Sequence, residues 1–465
     1  MSGTRIPLAA SAKALTDQPT RCFLILSVFF GLVWTLLFPP FQTGDEYVHF
    51  YRAFAVSEGN LTCVAGPNGQ VGGWLPRGLK DSAFALWTGM EWDSELTVDW
   101  ARIKASFGHP MKADERIFIE YAQTASYTAL PYIPQAVGIL IGRLANTSPV
   151  VCMYLGRLAN FIVWLLLCAA AIRVAGRYRW LLFQLSLLPM SLALGSSQSA
   201  DALTLGTAFL FFGLVVGCLD GDDPKRDERR VWAAGAVFLV MSLCKAYVPL
   251  WGIILICPAF LKPRRRLMVS IGAGVTGVAL LLVWTQSAGD VQVDFAGYTD
   301  QAGQMAFILA RPVHVIGVIT REMLTSVSRF MQFVGVLSWL NTVMPTFVYV
   351  AYGFLLLLVP LATVGRTALT WPRRLILIAI VLVTDVAVHI RLYLISTPVG
   401  APDVWGVQGR YLLPCATLIL LLLCNDGLRR SKLLARPYVG SGLLLVNTFL
   451  LAASTYRIVD RFYLP

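Results

Sequence analysis

The sequence has few charged residues: Asp, Glu, Lys and Arg together make up 14% of its 465 positions, whereas apolar residues make up 57%. This balance excludes an ordinary soluble domain, which needs a charged surface. The chain also has only four histidines, and its nine cysteines lie mostly in or beside apolar stretches. Neither structural disulfides nor a site with Cys and His metal ligands is therefore expected.

Long apolar stretches are abundant instead. A helix needs about 20 apolar residues to cross the hydrocarbon core of a bilayer, and about eleven stretches approach that length. We therefore predict an all-α polytopic membrane protein, a single membrane domain over 1–465, with a number of spans uncertain by about two. The predicted spans are 22–40, 150–172, 180–196, 202–218, 231–245, 246–261, 267–286, 343–364, 375–396, 411–424 and 438–455.

Basic residues occur in short clusters between these stretches, which explains the net charge of +12 without a nucleic-acid partner. Such clusters mark cytoplasmic loops. We therefore expect a bacterial inner-membrane protein with its N-terminus inside and its C-terminus outside. The clusters are Arg173/Arg177/Arg179, Lys225/Arg226/Arg229/Arg230, Lys262/Arg264/Arg265/Arg266, Arg366/Arg373/Arg374 and Arg429/Arg430/Lys432/Arg436.

Two large segments then face outward, 41–149 and 287–342. In the first, Tyr127–Leu144 does not fit the alternation of spans and is interpreted as a juxtamembrane or re-entrant helix. In the second, Gln304–Met331 mixes apolar residues with three arginines and a glutamate. That pattern predicts one amphipathic helix lying in the membrane interface.

The most informative polar stretch directly follows the first span and reads PPFQTGDEYVHFYR, from Pro39 to Arg52. The Pro/Gly turn places Asp45 and Glu46 at the outer mouth of a span. A carboxylate there can act as a general base on a sugar hydroxyl or bind a metal ion. The alternative is that the acidic pair only caps a solvated helix.

Other polar clusters recur at the same outer level: Ser196–Asp201, Lys245–Pro249 and Gly406–Tyr411. Lys245, Arg410 and Arg157 have the charge needed to hold a phosphate, although cations at span ends often only reach to lipid headgroups. Asp385 and His389 share one face of the ninth predicted span. A buried pair that stabilises the bundle, a proton relay and a cavity-lining role all stay open for them.

Several of these motifs together resemble the GT-C superfamily of membrane glycosyltransferases. More closely, the chain is similar to a bacterial family of predicted multi-span membrane proteins catalogued as a domain of unknown function. The matching elements are PPFQTGDEYVHFYRA at 39–53, Tyr127 to Pro134 with Arg157, SQSAD at 197–201, CKAYVPL at 244–250, QFVGVLSWLNTVMP at 332–345 and GVQGRYLLP at 406–414.

The resemblance implies a GT-C-like bundle in which a sugar moves, with inversion, from a polyprenyl-phosphate donor to a cell-envelope glycan or lipid-linked acceptor on the outer face. Asp45 would be the base, and Glu46 would replace it or bind Mg or Mn, although no metal ligand set is identified. The donor phosphate would be held by Lys245 and Arg410, with Arg52 and Arg157 as lesser candidates. The residues expected to contact substrate are His49, Gln198, Asp201, Tyr247, Gln408 and Tyr411. Alternatives are a transporter or flippase of a lipid-linked sugar and a non-catalytic scaffold.

Overall fold

A computed structural model describes residues 19–86, 89–220, 223–245, 251, 264–287, 299–325, 327–363, 370–424 and 439–464. Tyr247 and all of the predicted span 246–261 except Trp251 lie outside the described residues. The chain is mostly helical, which confirms the predicted helical class.

Eighteen helices of the described part carry the labels used below. They are α1 Pro19–Leu37, α2 Glu46–Ser57, α3 Arg77–Leu86, α4 Trp100–Ser106, α5 Ile133–Leu144, α6 Pro149–Val174, α7 Arg179–Ser186, α8 Pro189–Gly195, α9 Asp201–Gly217, α10 Pro224–Ser242, α11 Arg264–Ser287, α12 Gln301–Ala310, α13 Pro312–Thr325, α14 Val327–Gly335, α15 Thr346–Ala362, α16 Trp371–Ile395, α17 Ala416–Leu423 and α18 Val439–Tyr463.

Four described helices are long and apolar enough to cross a membrane: α1, α6, α16 and the Gly440–Tyr463 part of α18. A fifth span is possible if α12 and α13 count as one bent unit. The protein is thus a membrane protein, but the expected number of about eleven spans is not confirmed. One reason is that predicted spans form shorter helices, and the stretch 180–196 divides into α7 and α8 at Pro189, which cannot donate a helical hydrogen bond.

The predicted single helix Gln304–Met331 is wrong. The segment forms α12, α13 and α14, and α12 and α13 meet at an angle of 103°. Arg311 leaves the helical conformation at the break, with φ −134° and ψ 54°. The reason is Pro312, whose ring disfavours helical geometry at the preceding residue. The apolar face of α13 then packs against α16, and Val315, Val318 and Ile319 share one buried cluster with Tyr393.

The first outer segment contains a small antiparallel sheet, an exception to the expected all-α fold. Strands β1 Val64–Ala65, β2 Val71–Pro76 and β3 Arg116–Glu120 lie in that order. Gly72 is required in the central strand because a Cβ there would lie 2.0 Å from the carbonyl oxygen of Ile119. A second pair, β4 Val336–Leu337 with β5 Thr342–Val343, makes a short hairpin after α14. It contacts the turn that follows α1, through the carbonyl of Ser338.

The bundle has two chemically different ends. At one end, called here the Asp45 end, α1 and α18 finish together, since Tyr463 donates a hydrogen bond to the carbonyl of Leu37 at 2.6 Å. At the opposite end, called the arginine end, Arg230 of α10 donates to the carbonyls of Val174 and Gly217, the last residues of α6 and α9. The buried rings of Trp34, Trp164 and Phe209 belong to one core that joins the two ends.

We predict that the two ends lie on opposite sides of the membrane. Ser94 is exposed at the Asp45 end and Lys225 is exposed at the arginine end. Ser94→Cys should react with a membrane-impermeant maleimide in intact cells, and Lys225→Cys only after permeabilisation, because the reagent cannot cross the bilayer. Labelling of the unsubstituted chain measures the background from its own cysteines. Equal labelling of both variants in intact cells would contradict the arrangement.

Candidate functional site

The turn after α1 holds Asp45 in an unusual conformation. Asp45 occupies the position before α2 with φ 59° and ψ 15°, in the left-handed region, which costs energy for residues other than glycine. Its carboxylate caps no α2 backbone amide, and its side chain is 44% exposed. The preceding Gly44 lies so close to the hairpin that a Cβ would be 2.8 Å from the carbonyl oxygen of Ser338. The turn therefore directs this carboxylate away from the helix and toward the neighbouring cavity.

Glu46, the next residue, has the opposite environment. Glu46 and Arg157 of α6 are both fully buried and form a bidentate pair, with distances of 2.7 Å from Nε to Oε1 and 2.5 Å from Nη2 to Oε2. Arg157 also donates to the carbonyls of Thr35, Phe38 and Pro39 at the end of α1. This pair thus fixes where α1 ends and α2 begins.

Gln198 and Arg52 take part in the same scaffold. The Gln198 backbone amide donates to Glu46 Oε1 at 3.2 Å, and its side chain donates to the carbonyl of Met153 at 2.6 Å. Arg52 is fully buried and donates to the carbonyls of Asn60 and Leu61 at the other end of α2. The structure places both side chains in the packing around α2.

Beside Asp45 lies a cavity of about 280 Å³, called here the Asp45 pocket. Residues from six separate parts of the chain line it, so only the folded bundle assembles it. The polar and cysteine lining residues are Asp45, His49, Gln123, Thr124, Ser126, Tyr127, Asp201, Cys244, Lys245, Arg391, Ser396, Gln408, Arg410 and Tyr411. The apolar and glycine lining residues are Val48, Val388, Leu392, Ile395 and Gly406.

Two ion pairs organise this pocket. Lys245 Nζ lies 2.6 Å from Asp201 Oδ1, and both side chains are largely buried. Arg410 Nη2 lies 3.6 Å from Asp45 Oδ2, a separation too long for a direct hydrogen bond. The Tyr411 ring lies beside both cations, with its centroid 5.1 Å from Lys245 Nζ and 5.8 Å from Arg410 Cζ. Such contacts between a cation and a ring favour the charged forms of both basic side chains.

The lining groups carry an excess of positive charge. Among the described lining residues there are three cationic side chains, Lys245, Arg391 and Arg410, and two carboxylates, Asp45 and Asp201. The Asp201 carboxylate forms a close ion pair with Lys245, whereas the Asp45 carboxylate has only a longer contact with Arg410. The pocket is therefore suited to an anionic group placed next to a carboxylate that can still accept a proton.

His49 adds a neutral group to the same wall. Its Nδ1 lies 2.9 Å from the hydroxyl of Tyr132, and the residue is 9% exposed. Burial lowers the pKa of His49, and the positive charges of Arg410 and Lys245 lower it further, while Asp45 and Asp201 oppose the effect. The imidazole is thus uncharged near neutral pH and can exchange hydrogen bonds without adding charge.

A buried cluster of Arg329, Asp385 and His389 lies next to the turn that carries Arg410. Arg329 of α14 donates to Asp385 Oδ1 of α16 at 2.5 Å, and His389 Nδ1 lies 2.7 Å from the carbonyl oxygen of Asp385. Neither Asp385 nor His389 lines the pocket. The α14 backbone is in turn packed so tightly against Gly409 that a Cβ there would lie 1.9 Å from the carbonyl oxygen of Arg329. These contacts hold the turn that carries Arg410 against α14.

The structure brings together seven of the residues singled out in the sequence: Asp45, His49, Asp201, Lys245, Gln408, Arg410 and Tyr411. It places Glu46, Arg52, Arg157 and Gln198 in the surrounding scaffold. Sequence reasoning missed Gln123, Thr124, Ser126, Tyr127, Arg391 and Ser396 as lining residues. Arg391 at the outer end of a predicted span and Tyr127 at the start of a matched element were usable signals, but residues 123–126 have no motif that distinguishes them from other polar loops.

Comparison with known proteins agrees with the membrane architecture. The family model for DUF2142, described as a predicted membrane protein, matches residues 28–421, most of the chain. The chain belongs to the DUF2142 family. The match extends from α1 to α17 and includes Asp45, Lys245 and Arg410, so the pocket lies within the region that the family shares. Neither a curated protein nor a solved structure matches the chain.

The buried pair predicts a large effect of Arg157 on stability. Arg157→Met should lower the free energy of unfolding by about 3–5 kcal/mol, because it leaves the Glu46 charge buried without its partner. Three carbonyls at the end of α1 also lose their donor. Thermal unfolding of purified protein in detergent measures this. Arg102→Met, at an exposed arginine of α4, is the control and should change stability by less than about 1 kcal/mol.

The pKa of His49 predicts a dependence of stability on pH. Because the folded-state pKa lies below the ordinary value of about 6.5, the unfolded chain binds the proton more readily. The contribution of His49 to the free energy of unfolding should therefore be fully present above a pH of about 6.5. It should decrease as the pH falls toward the folded-state pKa. His49→Gln should flatten this part of the profile, measured by thermal unfolding at a series of pH values. An identical slope in the variant would assign the effect to other groups.

Proposed function

We propose that the Asp45 pocket is the active site of an inverting glycosyltransferase of the bacterial inner membrane. The enzyme would move a sugar from a polyprenyl-phosphate donor to a cell-envelope glycan or lipid-linked acceptor on the outer face. The observation that carries the proposal is the pairing, in one pocket, of a half-exposed carboxylate with largely buried cations from distant parts of the chain.

Asp45 is proposed as the general base. Its carboxylate is accessible, caps no helix and has only a 3.6 Å contact with Arg410. In direct inversion, the base removes the proton of the acceptor hydroxyl while the hydroxyl oxygen attacks the anomeric carbon and the bond to the donor phosphate breaks. Asp45 meets the first requirement of such a base, since a substrate hydroxyl can reach it. Glu46 is saturated by Arg157, so its role is to hold Asp45 in position.

Arg410 and Lys245 are proposed to hold the departing phosphate. Their side chains are 15% and 8% exposed, and water screens such charges less than those at the surface. Arg410 Nε has no hydrogen-bond partner in the part of the chain that the structure describes. A phosphate at this place would accept hydrogen bonds from Arg410, and the guanidinium would stabilise the negative charge that develops on the phosphate as it leaves. This contribution is large in a site poor in water.

The pocket has an apolar side that suits a lipid-linked donor. Val388, Leu392 and Ile395 of α16 line it. These residues lie on one face of a helix long enough to span the membrane. The first isoprene units of the donor would therefore run along α16 while the phosphate lies at its outer end.

The decisive experiment is transfer from a panel of radiolabelled polyprenyl-phosphate sugars to host envelope glycan by purified protein. Asp45→Asn should lower the rate of transfer by about a hundredfold or more while donor binding is retained, because the amide cannot accept the proton. Asp114→Asn, at an exposed carboxylate of the outer segment, is the matched control and should transfer normally.

A second variant separates the base from phosphate binding. Arg410→Gln should weaken donor binding by about tenfold or more, because a charge-assisted hydrogen bond to the phosphate is lost.

Undiminished transfer by Asp45→Asn would move the base to another residue. Absence of transfer by the unsubstituted chain with every donor and acceptor in the panel would remove support for the glycosyltransferase proposal.

Transport of a lipid-linked sugar is the second candidate, and one observation favours it. The apolar pair α12 and α13 meets at 103° and resembles a broken span, a feature that transporters use to form binding sites. The charged lining groups nevertheless gather at the Asp45 end. Movement of a fluorescent lipid-linked sugar across reconstituted vesicles, without sugar transfer, would favour this alternative.

A further inference from the structure

A second large cavity lies at the arginine end of the bundle. Its volume is about 710 Å³, and it opens between the start of α1, the end of α6 and the start of α10. Most of its charged lining is basic. The arginines that line it are Arg21, Arg173, Arg177, Arg179, Arg226 and Arg230.

One carboxylate lines this cavity, and it is already engaged. Asp223 accepts hydrogen bonds from the backbone amides of Lys225 and Arg226, at 2.9 and 3.3 Å, and so caps α10. Arg230 is held in the wall by the carbonyls of Gly217 and Val174. The other five arginines are exposed. Like charges around one concave surface raise the local potential, which a bound anion lowers.

An exposed apolar surface continues from the cavity along the bundle. Val28 and Leu32 follow Arg21 by seven and eleven residues in α1, so they lie on the same helical face, and each is 40% exposed. In α6, Leu166 precedes Arg173 by seven residues and is 60% exposed. The helices α1 and α6 pack against each other, and each exposes an apolar face that leads to the arginines; these two faces are called here the apolar track.

We infer that this cavity binds the headgroup of an anionic phospholipid, whose acyl chains lie along the track on α1 and α6. Basic pockets between membrane helices on the cytoplasmic side are suited to such headgroups. The preference for positive charge on that side explains why arginines occur in these loops. It does not explain their convergence around one cavity with an apolar track. A lipid, unlike a free phosphate, fits both parts.

The test measures binding of phosphatidylglycerol to the purified full chain by native mass spectrometry, with phosphatidylcholine as the zwitterionic comparison. The double variant Arg21→Gln/Arg173→Gln should bind phosphatidylglycerol more weakly, by about fivefold for each arginine removed. The control Lys225→Gln/Arg229→Gln removes the same charge from exposed positions of α10 that do not line the cavity, and should bind as the unsubstituted chain does.

Three outcomes would overturn the inference. Equal loss of lipid in the test and control variants would show a general effect of surface charge. Displacement of phosphatidylglycerol by inorganic phosphate at the same concentration would show a site for free anions. The single variant Arg226→Gln, on a different helix, provides the same comparison if the double variant does not fold. Retained binding in that variant, with the α1 and α6 arginines intact, would also count against the assigned cavity.

Discussion

The buried pair of Glu46 and Arg157 is the interaction on which the rest of the site depends. Two charges removed from water are stable only when each is fully hydrogen-bonded. Arg157 meets this condition with both carboxylate oxygens and three carbonyls at the end of α1. It therefore joins α1, α2 and α6 at a single point. Asp45, between the end of α1 and Glu46, has its position set by this junction.

The contrast between two adjacent carboxylates shows how environment assigns their roles. Glu46 is fully buried and satisfied, whereas the Asp45 side chain is half-exposed and only loosely paired. A satisfied buried carboxylate stabilises a fold but has no remaining capacity to take a substrate proton. An accessible carboxylate held in a left-handed turn has that capacity, and the energetic cost of the turn is met by the surrounding contacts. The arrangement separates holding the turn from the proposed chemistry.

The sequence alone locates the charged residues at the ends of apolar stretches, but it does not show which of them pair with one another. Asp45, Lys245 and Arg410 were recognisable because charged residues beside long apolar runs are rare and lie at a defined depth. Arg157 was expected to hold a phosphate, but residue type and depth cannot show that its donors are already used within the protein. That depends on the conformation at the end of α1, which only the folded chain defines.

The same limit applies to helix continuity. The amphipathic pattern over 304–331 indicates which residues lie on an apolar face, but it does not indicate where the backbone turns. The structure has a break of 103° at Pro312. This break determines how the segment packs. It lets α13 fold back onto α16 through Val315 and Ile319, while α14 continues to the turn that carries Arg410. Pro312 thus ends the helix that periodicity predicts and begins α13, the helix that packs against α16.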